Sequence, residues 1–412
     1  MQTTRGEWRD NWPVLVAAMI GFSTLGVQSY AIGPFVPHLE AEYGWSRAEV
    51  MLGVSISNAV GIFLNIAIGL IVDRFGSRRI GILGLVVKTG AFALLGTATG
   101  SLLNWSLLWV FVAIGIVLVQ ATVWTRVIAS RFDRSRGFAM ALTLSGTSLT
   151  AIIAPVLATA LIAQFGWRGG FFGFGAVWLA ATLPPVFFLF RDAPARHEAA
   201  PPTPRDVPGL TFREGIRTHA FARLMISFGC FSFFSMTMAT NLIPLLLERG
   251  AGPMQAGQIA SIMGLCGLAS RLTVGFLLDR FPGHVIGAVT LLLPVLGAAI
   301  FLLDQPSIFL LAVGVSLFGA AIGAEIDVAL YLGTRHFGLK AFASLFGGVI
   351  SFGAVNAAIG PFVAGALHDR TGNYDSLLAI VMAVMSLGAL AMLTMRRPRG
   401  SWQAAGERVA AH

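Results

Sequence analysis

The sequence predicts an all-α membrane protein of twelve transmembrane helices arranged in two six-helix, pseudo-symmetric halves. Three observations carry that prediction. Of 412 residues, 56% are hydrophobic and only 11% charged, with a mean hydropathy of +0.78, where soluble domains carry roughly 25% charged residues. Twelve apolar runs follow one another, each near or above the roughly 20 residues that a helix needs to cross a bilayer. A sequence pattern also recurs at a shift of 206 residues, half the length of the chain.

The first run, 12–37, is too long for the core of a signal peptide and shows no small-residue cleavage site, so it is read as a span. The next five runs are 47–71, 80–99, 103–128, 137–163 and 168–190. A second set covers 221–246, 255–278, 284–303, 306–333, 341–366 and 375–395. Charges, Gly or Pro bound each run. Asp304, Gln305 and Pro306 alone separate spans nine and ten. The one long connection, 191–218, contains APARHEAAPPTPRDVPG, which has the Pro- and Ala-rich composition of a linker. The expected organisation is therefore a first half at 1–190, a linker at 191–218, and a second half with its tail at 219–412.

Lys and Arg set the orientation, because their bias in short loops decides topology. Twenty of the 28 fall at the N-terminus (Arg5, Arg9), in the even-numbered connections and in the tail from Arg396 to Arg408; four fall in the odd-numbered ones, at Arg47, Arg168, Arg249 and Arg370. Both termini and the linker are thus expected in the cytoplasm, and the chain in an inner membrane. The net charge of +9 sits between apolar runs instead of on one soluble face, which argues against nucleic acid. Cys230 and Cys266 lie inside apolar stretches, offering neither a disulfide framework nor metal-ligand spacing. The seven His lie in loops, tails or near span ends, and no pair has metal-ligand spacing. No cofactor is implied, and no nucleophile is paired with a base, so an enzyme is not expected.

The repeat is specific. Gly69, Asp73, Arg74 and Phe75 in GLIVDRF return as Gly275, Asp279, Arg280 and Phe281 in GFLLDRF, and Pro155 and Gly166 return as Pro361 and Gly372. Parallel halves of this kind form a transporter architecture with its site near the bilayer midplane. The stretch GLIVDRFGSRR, containing Gly69, Asp73, Arg74, Gly76, Arg78 and Arg79, resembles the loop signature between spans two and three of the major facilitator superfamily, with Ser77 where a basic residue is usual. That resemblance implies the major facilitator fold and a gating role for the motif. In such a motif the Asp accepts from backbone donors at a helix end and the Arg residues bind carboxylates or carbonyls.

Three further stretches, YGWSRAEV, SRFDRSRGFAMAL and GAEIDVALYLGTRHFGLKAFASLFG, resemble the bacterial monocarboxylate transporter and oxalate/formate antiporter group, as does GPFVAGALHDRTGNYD. In that group an Arg of the eighth span pairs with the substrate carboxylate, and Arg271 occupies the matching place. The chain departs from the pattern at Gly267, where animal carriers have Asp, and at Tyr30, where they have Lys. Asn356 is the nearest polar residue to the second cation of the oxalate carrier. A single cation favours a monoanion over a dianion.

Among the candidates, Arg271 is the sharpest, since an ionisable group within a span costs roughly 2.5–3.5 kcal/mol or more and normally faces the interior. It either meets substrate or forms an ion pair with a carboxylate of span ten. Glu325 and Asp327, the only carboxylates well inside spans, lie about 200° apart around a helix; one is expected to carry a proton and the other to lock the cytoplasmic side with Arg126, Arg335 or Arg74. Gln28, Tyr30, Gln120, Trp124, Asn241, Tyr331 and Asn356 are candidate pocket residues, because spans one, four, seven and ten line the cavity in the family it resembles. Lone aromatics in spans also serve as packing. Asn58 and Asn65 are expected to hold helices together, and Lys88 to snorkel or find a partner in span two.

The expectation is a monomeric, proton-coupled transporter of a small organic anion, a monocarboxylate, working by alternating access. A larger anion such as an aromatic acid or vitamin is the alternative cargo. A drug/proton antiporter is the alternative function, which the missing Gly-rich motif around Pro155 disfavours.

Overall fold

Each span begins or ends where the local chemistry allows it. Ser46 and Glu49 bond reciprocally as a capping box and start the helix Arg47–Phe75. The first span runs past the expected end at 37, because Pro34 and Pro37 sit in first turns, where a missing N–H costs nothing. It continues as Val36–Tyr43 until Gly44, at φ 65°, caps it.

This computed structural model describes residues 4–132, 135–192, 209–278, 280–338 and 340–395. Asp279, most of the 191–218 linker and the tail arginines from Arg396 onward lie outside the described residues. Among those described, eleven helices are long and apolar enough to cross a membrane. Spans five and six account for the missing one. They run together in the 44-residue element Gly146–Leu189, which Gly166 breaks at φ 68° and ψ 174°. That break falls between the expected ends at 163 and 168, so twelve spans are present.

The others are Thr4–Ser23 with the short turns that follow it, Ser77–Leu94, His219–Glu248, Pro253–Leu278, Gly283–Phe301, Ile308–Phe337, Phe342–Thr371 and Asp375–Leu393. Span four departs from expectation: it is two helices, Leu102–Leu118 and Ala121–Arg131, broken at Val119 and Gln120. Thr211 and Glu214 cap a short helix, Phe212–Ile216, where the sequence suggested only linker. Hydrogen bonds from Thr211 hold the Glu214 carboxyl below its ordinary value.

The chain forms two compact units. One comprises Met1–Arg196, Met236–Leu265 and Gly360–Tyr374, and the other His197–Ser235, Cys266–Ile359 and Asp375–His412. Segments of spans seven, eight and eleven therefore pack with the first six spans. The first unit is filled by two apolar clusters, one around Phe35, Trp105, Trp109 and Phe171 and one around Trp124, Phe132 and Phe190.

Candidate functional site

Two glycines create the central geometry of the second unit. A Cβ on Gly323 would run into the carbonyl of Gly267, so the backbones of spans eight and ten touch there. One turn further along each helix, Arg271 and Asp327 face each other, with Nε 3.4 Å from Oδ2. Arg271 Nε also donates to Gly323 O at 3.4 Å, and Ser270 Oγ donates to Ala320 O at 2.6 Å. The ion pair is loose. Asp327 Oδ2 receives no hydrogen bond, and Arg271 Nη1 is buried without an acceptor.

Glu325 looks the other way, as a 200° offset requires. It is completely buried, with Oε2 at 3.5 Å from Thr290 Oγ1 on span nine and Oε1 without a partner. Among the described residues Glu325 meets the Thr290 hydroxyl and Asp327 meets Arg271. Arg126 is exposed, Arg335 lies 5.3 Å over the Tyr331 ring, and Arg74 lies 5.5 Å over Phe75. Tyr331 is thus engaged by a cation. Asn356 donates to Phe352 O of its own helix at 2.8 Å.

In the first unit Gln28 is buried with Oε1 unpartnered, Tyr30 is half-buried against the apolar core, and Gln120 sits at the break in span four. Trp124 is a correction. Its ring is fully buried beside Gly21, Gly81 and Phe190, and Nε1 donates to Val119 O at 3.0 Å, so it serves as core packing. Asn241 is likewise fully committed: Nδ2 donates to Thr237 O and Thr240 Oγ1, and Oδ1 accepts from Tyr374 OH at 3.2 Å. Lys88 is a second correction. It does not snorkel: it is entirely buried, and among the described residues its Nζ has no hydrogen-bond partner.

In the motif, Gly76 turns the chain at φ 82°. Arg78 N donates to Asp192 Oδ1 at 3.0 Å and Arg78 Nη2 to Phe187 O at 2.7 Å, which ties the loop to the end of span six. Asp192, inside the expected linker, is a partner the sequence did not single out. Arg79 is exposed, and Arg280 lies 4.2 Å over Phe276. Gly69 and Asp73 lie in the last turns of the second span.

The sequence model of the Major Facilitator Superfamily matches residues 18–324 and 230–410. The chain belongs to the major facilitator superfamily. It is 26% identical to rat monocarboxylate transporter 13 over 398 residues, covering 95% of this chain and 89% of the relative. It is also 26% identical to the probable sulfoacetate transporter SauU of Cupriavidus necator, covering 87% of each. Among solved structures, the fold matches a bacterial homologue of the human lysosomal transporter Spinster with a TM-score of 0.71, at 16% identity over 92% of each chain. This major facilitator is accordingly a multi-pass membrane transporter and not an enzyme.

One cluster of this transporter escaped sequence reasoning. On the face carrying the odd-numbered connections, Asp369 accepts from the backbone N–H groups of Arg47 and Ala48, both at 2.9 Å, and so caps the second span from the eleventh. Arg47 is bidentate on Glu40, at 2.7 and 2.9 Å, and lies 5.3 Å over the Tyr374 ring. Tyr374 N donates to Glu248 Oε1, and His368 Nε2 lies 3.3 Å from Glu248 Oε2. Burial pushes the Tyr374 phenol well above its ordinary value. The signal lay in HDRTGNY beside a helix start at SRAE, but nothing in periodicity joins residues 322 positions apart.

Proposed function

We propose that this transporter moves a small organic monoanion, a monocarboxylate, across the membrane by alternating access, together with a proton. The carrying observation is the unfilled guanidinium of Arg271, half-buried within a span, with Nη1 buried without an acceptor and its ion partner not hydrogen-bonded. A purely structural buried pair needs its remaining donors satisfied, because desolvation otherwise outweighs the attraction. A carboxylate supplies the planar acceptor that matches the guanidinium fork. Asp327 holds Arg271 in place from span ten, which offsets the missing acid at Gly267. The names of the two relatives, a monocarboxylate and a sulfoacetate carrier, are consistent with a small organic acid as cargo. Sidedness follows the Lys and Arg distribution, with termini in the cytoplasm and the Asp369 cluster outside.

The test is uptake of a panel of monocarboxylates into proteoliposomes. Wild type is expected to accumulate at least one acid, faster with an inward proton gradient, and Arg271→Ala to lose that uptake. Full uptake of every acid by Arg271→Ala and Arg271→Lys would overturn the assignment.

A further inference from the structure

The first six spans contain a charged side chain that the motif, the cavity candidates and the Asp369 cluster leave unused. Lys88 stands near the middle of Ser77–Leu94, fully buried and without an acceptor for Nζ. Its backbone presses on span four: a Cβ on Gly115 would lie 2.5 Å from Lys88 Cα, and a Cβ on Gly84, one turn earlier, would lie 2.6 Å from Leu118 O. The two helices run antiparallel, so residue 88 is level with 115 and residue 84 with 118. Side chains on a helix lean toward its N-terminus. That lean carries the Lys88 amine from the level of Gly115 toward Leu118, where span four is broken.

The break brings together what a titrating amine needs. Helix Leu102–Leu118 ends there in short three-residue bonds, Val119 N to Ile116 O and Gln120 N to Val117 O, both 3.3 Å. The carbonyl end of a helix favours a cation. Polar Gln120 forms the start of the next helix. The charged residues on the elements packed against Lys88 all lie toward helix ends or beyond the break: Arg47, Glu49, Asp73 and Arg74 on span two, Arg126 and Arg131 on span four, and Arg168 after Gly166. An amine can sit in this arrangement without an acceptor; an ammonium ion requires one. Charging Lys88 therefore favours a rearrangement of the break that turns carbonyls toward it, and Gln120 moves with that rearrangement.

We infer that Lys88 is the group that takes up the transported proton, and that the break in span four converts its charge into movement. This rests on the proton-coupled reading above. Glu325 is the rival buried acid, but it sits on the unbroken helix Ile308–Phe337 against Thr290, with no comparable element to respond.

Proteoliposomes holding the full chain decide it with two assays of lactate, accumulation under an imposed pH gradient and exchange at equal pH. Lys88→Met and the permanently charged Lys88→Arg are expected to keep exchange within about threefold while gradient-driven accumulation falls at least about tenfold, to the equal-pH level. Loss of the gradient response in Glu325→Gln, with Lys88→Met still responding, would overturn the assignment in favour of Glu325. Accumulation by Lys88→Met equal to wild type overturns the assignment, as does loss of exchange in folded Lys88 variants. Wild type that exchanges lactate but ignores the gradient removes the proton-coupled reading itself, and the role of Lys88 with it. A measurement on wild type guards against variants that do not fold. Lys88 and Lys340 are the only lysines, so lysine labelled with carbon-13 at Cε gives two resonances, assigned by Lys340→Arg. The Lys88 resonance is expected to move between amine and ammonium positions as the pH is varied and to shift again with lactate. A resonance fixed under all these conditions overturns the proposal.

Discussion

The Asp369 cluster and the Arg271–Asp327 pair are built from the same residue types and finished differently. At Asp369 the carboxylate has two backbone donors, Arg47 is bidentate on Glu40 and stacked on Tyr374, and Tyr374 is tied at both its amide and its hydroxyl. At Arg271 one loose ion contact leaves a guanidinium nitrogen without an acceptor. Charge-assisted bonds that are all filled hold a conformation. A buried donor left open costs stability unless something else fills it, which is the ground for proposing a binding site at Arg271 and a brace at Asp369.

Mutations can break this contrast, and the largest effect belongs to the open site. Arg271→Ala leaves the half-buried Asp327 without its cation; uptake should fall by about 100-fold or more, with Arg271→Lys recovering only part because an ammonium lacks the planar fork. Gly323→Ala acts one step removed. Its methyl group would push on the Gly267 carbonyl and part Arg271 from Asp327; uptake should drop about tenfold in protein that still elutes as a folded species. Asp369→Ala tests the brace. It should lower the thermal midpoint, by about 1–2 kcal/mol of stability as for a lost helix cap, and speed alkylation of a cysteine placed at Ala48, with little change in substrate affinity. Smallest of all, Trp124→Phe should cost about 1 kcal/mol for the lost bond to Val119 O while leaving the KM of uptake unchanged. A KM shift there would return Trp124 to the cavity.

What the sequence disclosed follows from what periodicity and composition can encode. Span number, the turn at Gly166 and the opposite facing of Glu325 and Asp327 are properties of one helix at a time, readable from apolar runs, a glycine and 100° per residue. The acid opposite Arg271 was foreseen only as an unnamed carboxylate of span ten, because choosing Asp327 requires knowing that Gly267 and Gly323 touch. The break at Val119 and Gln120 carries no Gly or Pro to announce it. Lys88 reads as a snorkelling residue on a helix taken alone, and its burial becomes visible only with Gly115 against its backbone. Asp369 and Arg47 belong to spans far apart in the chain, and no local pattern pairs them.

The contact between Gly267 and Gly323 also bears on kinematics. Helices that meet backbone to backbone, with no side chains as bearings between them, cannot slide past one another without a clash. Spans eight and ten are coupled at that level as parts of one rigid link. The Arg271–Asp327 pair, one turn along from that contact, moves with this link. On the proposed cycle, what changes during turnover is the occupant of the open guanidinium.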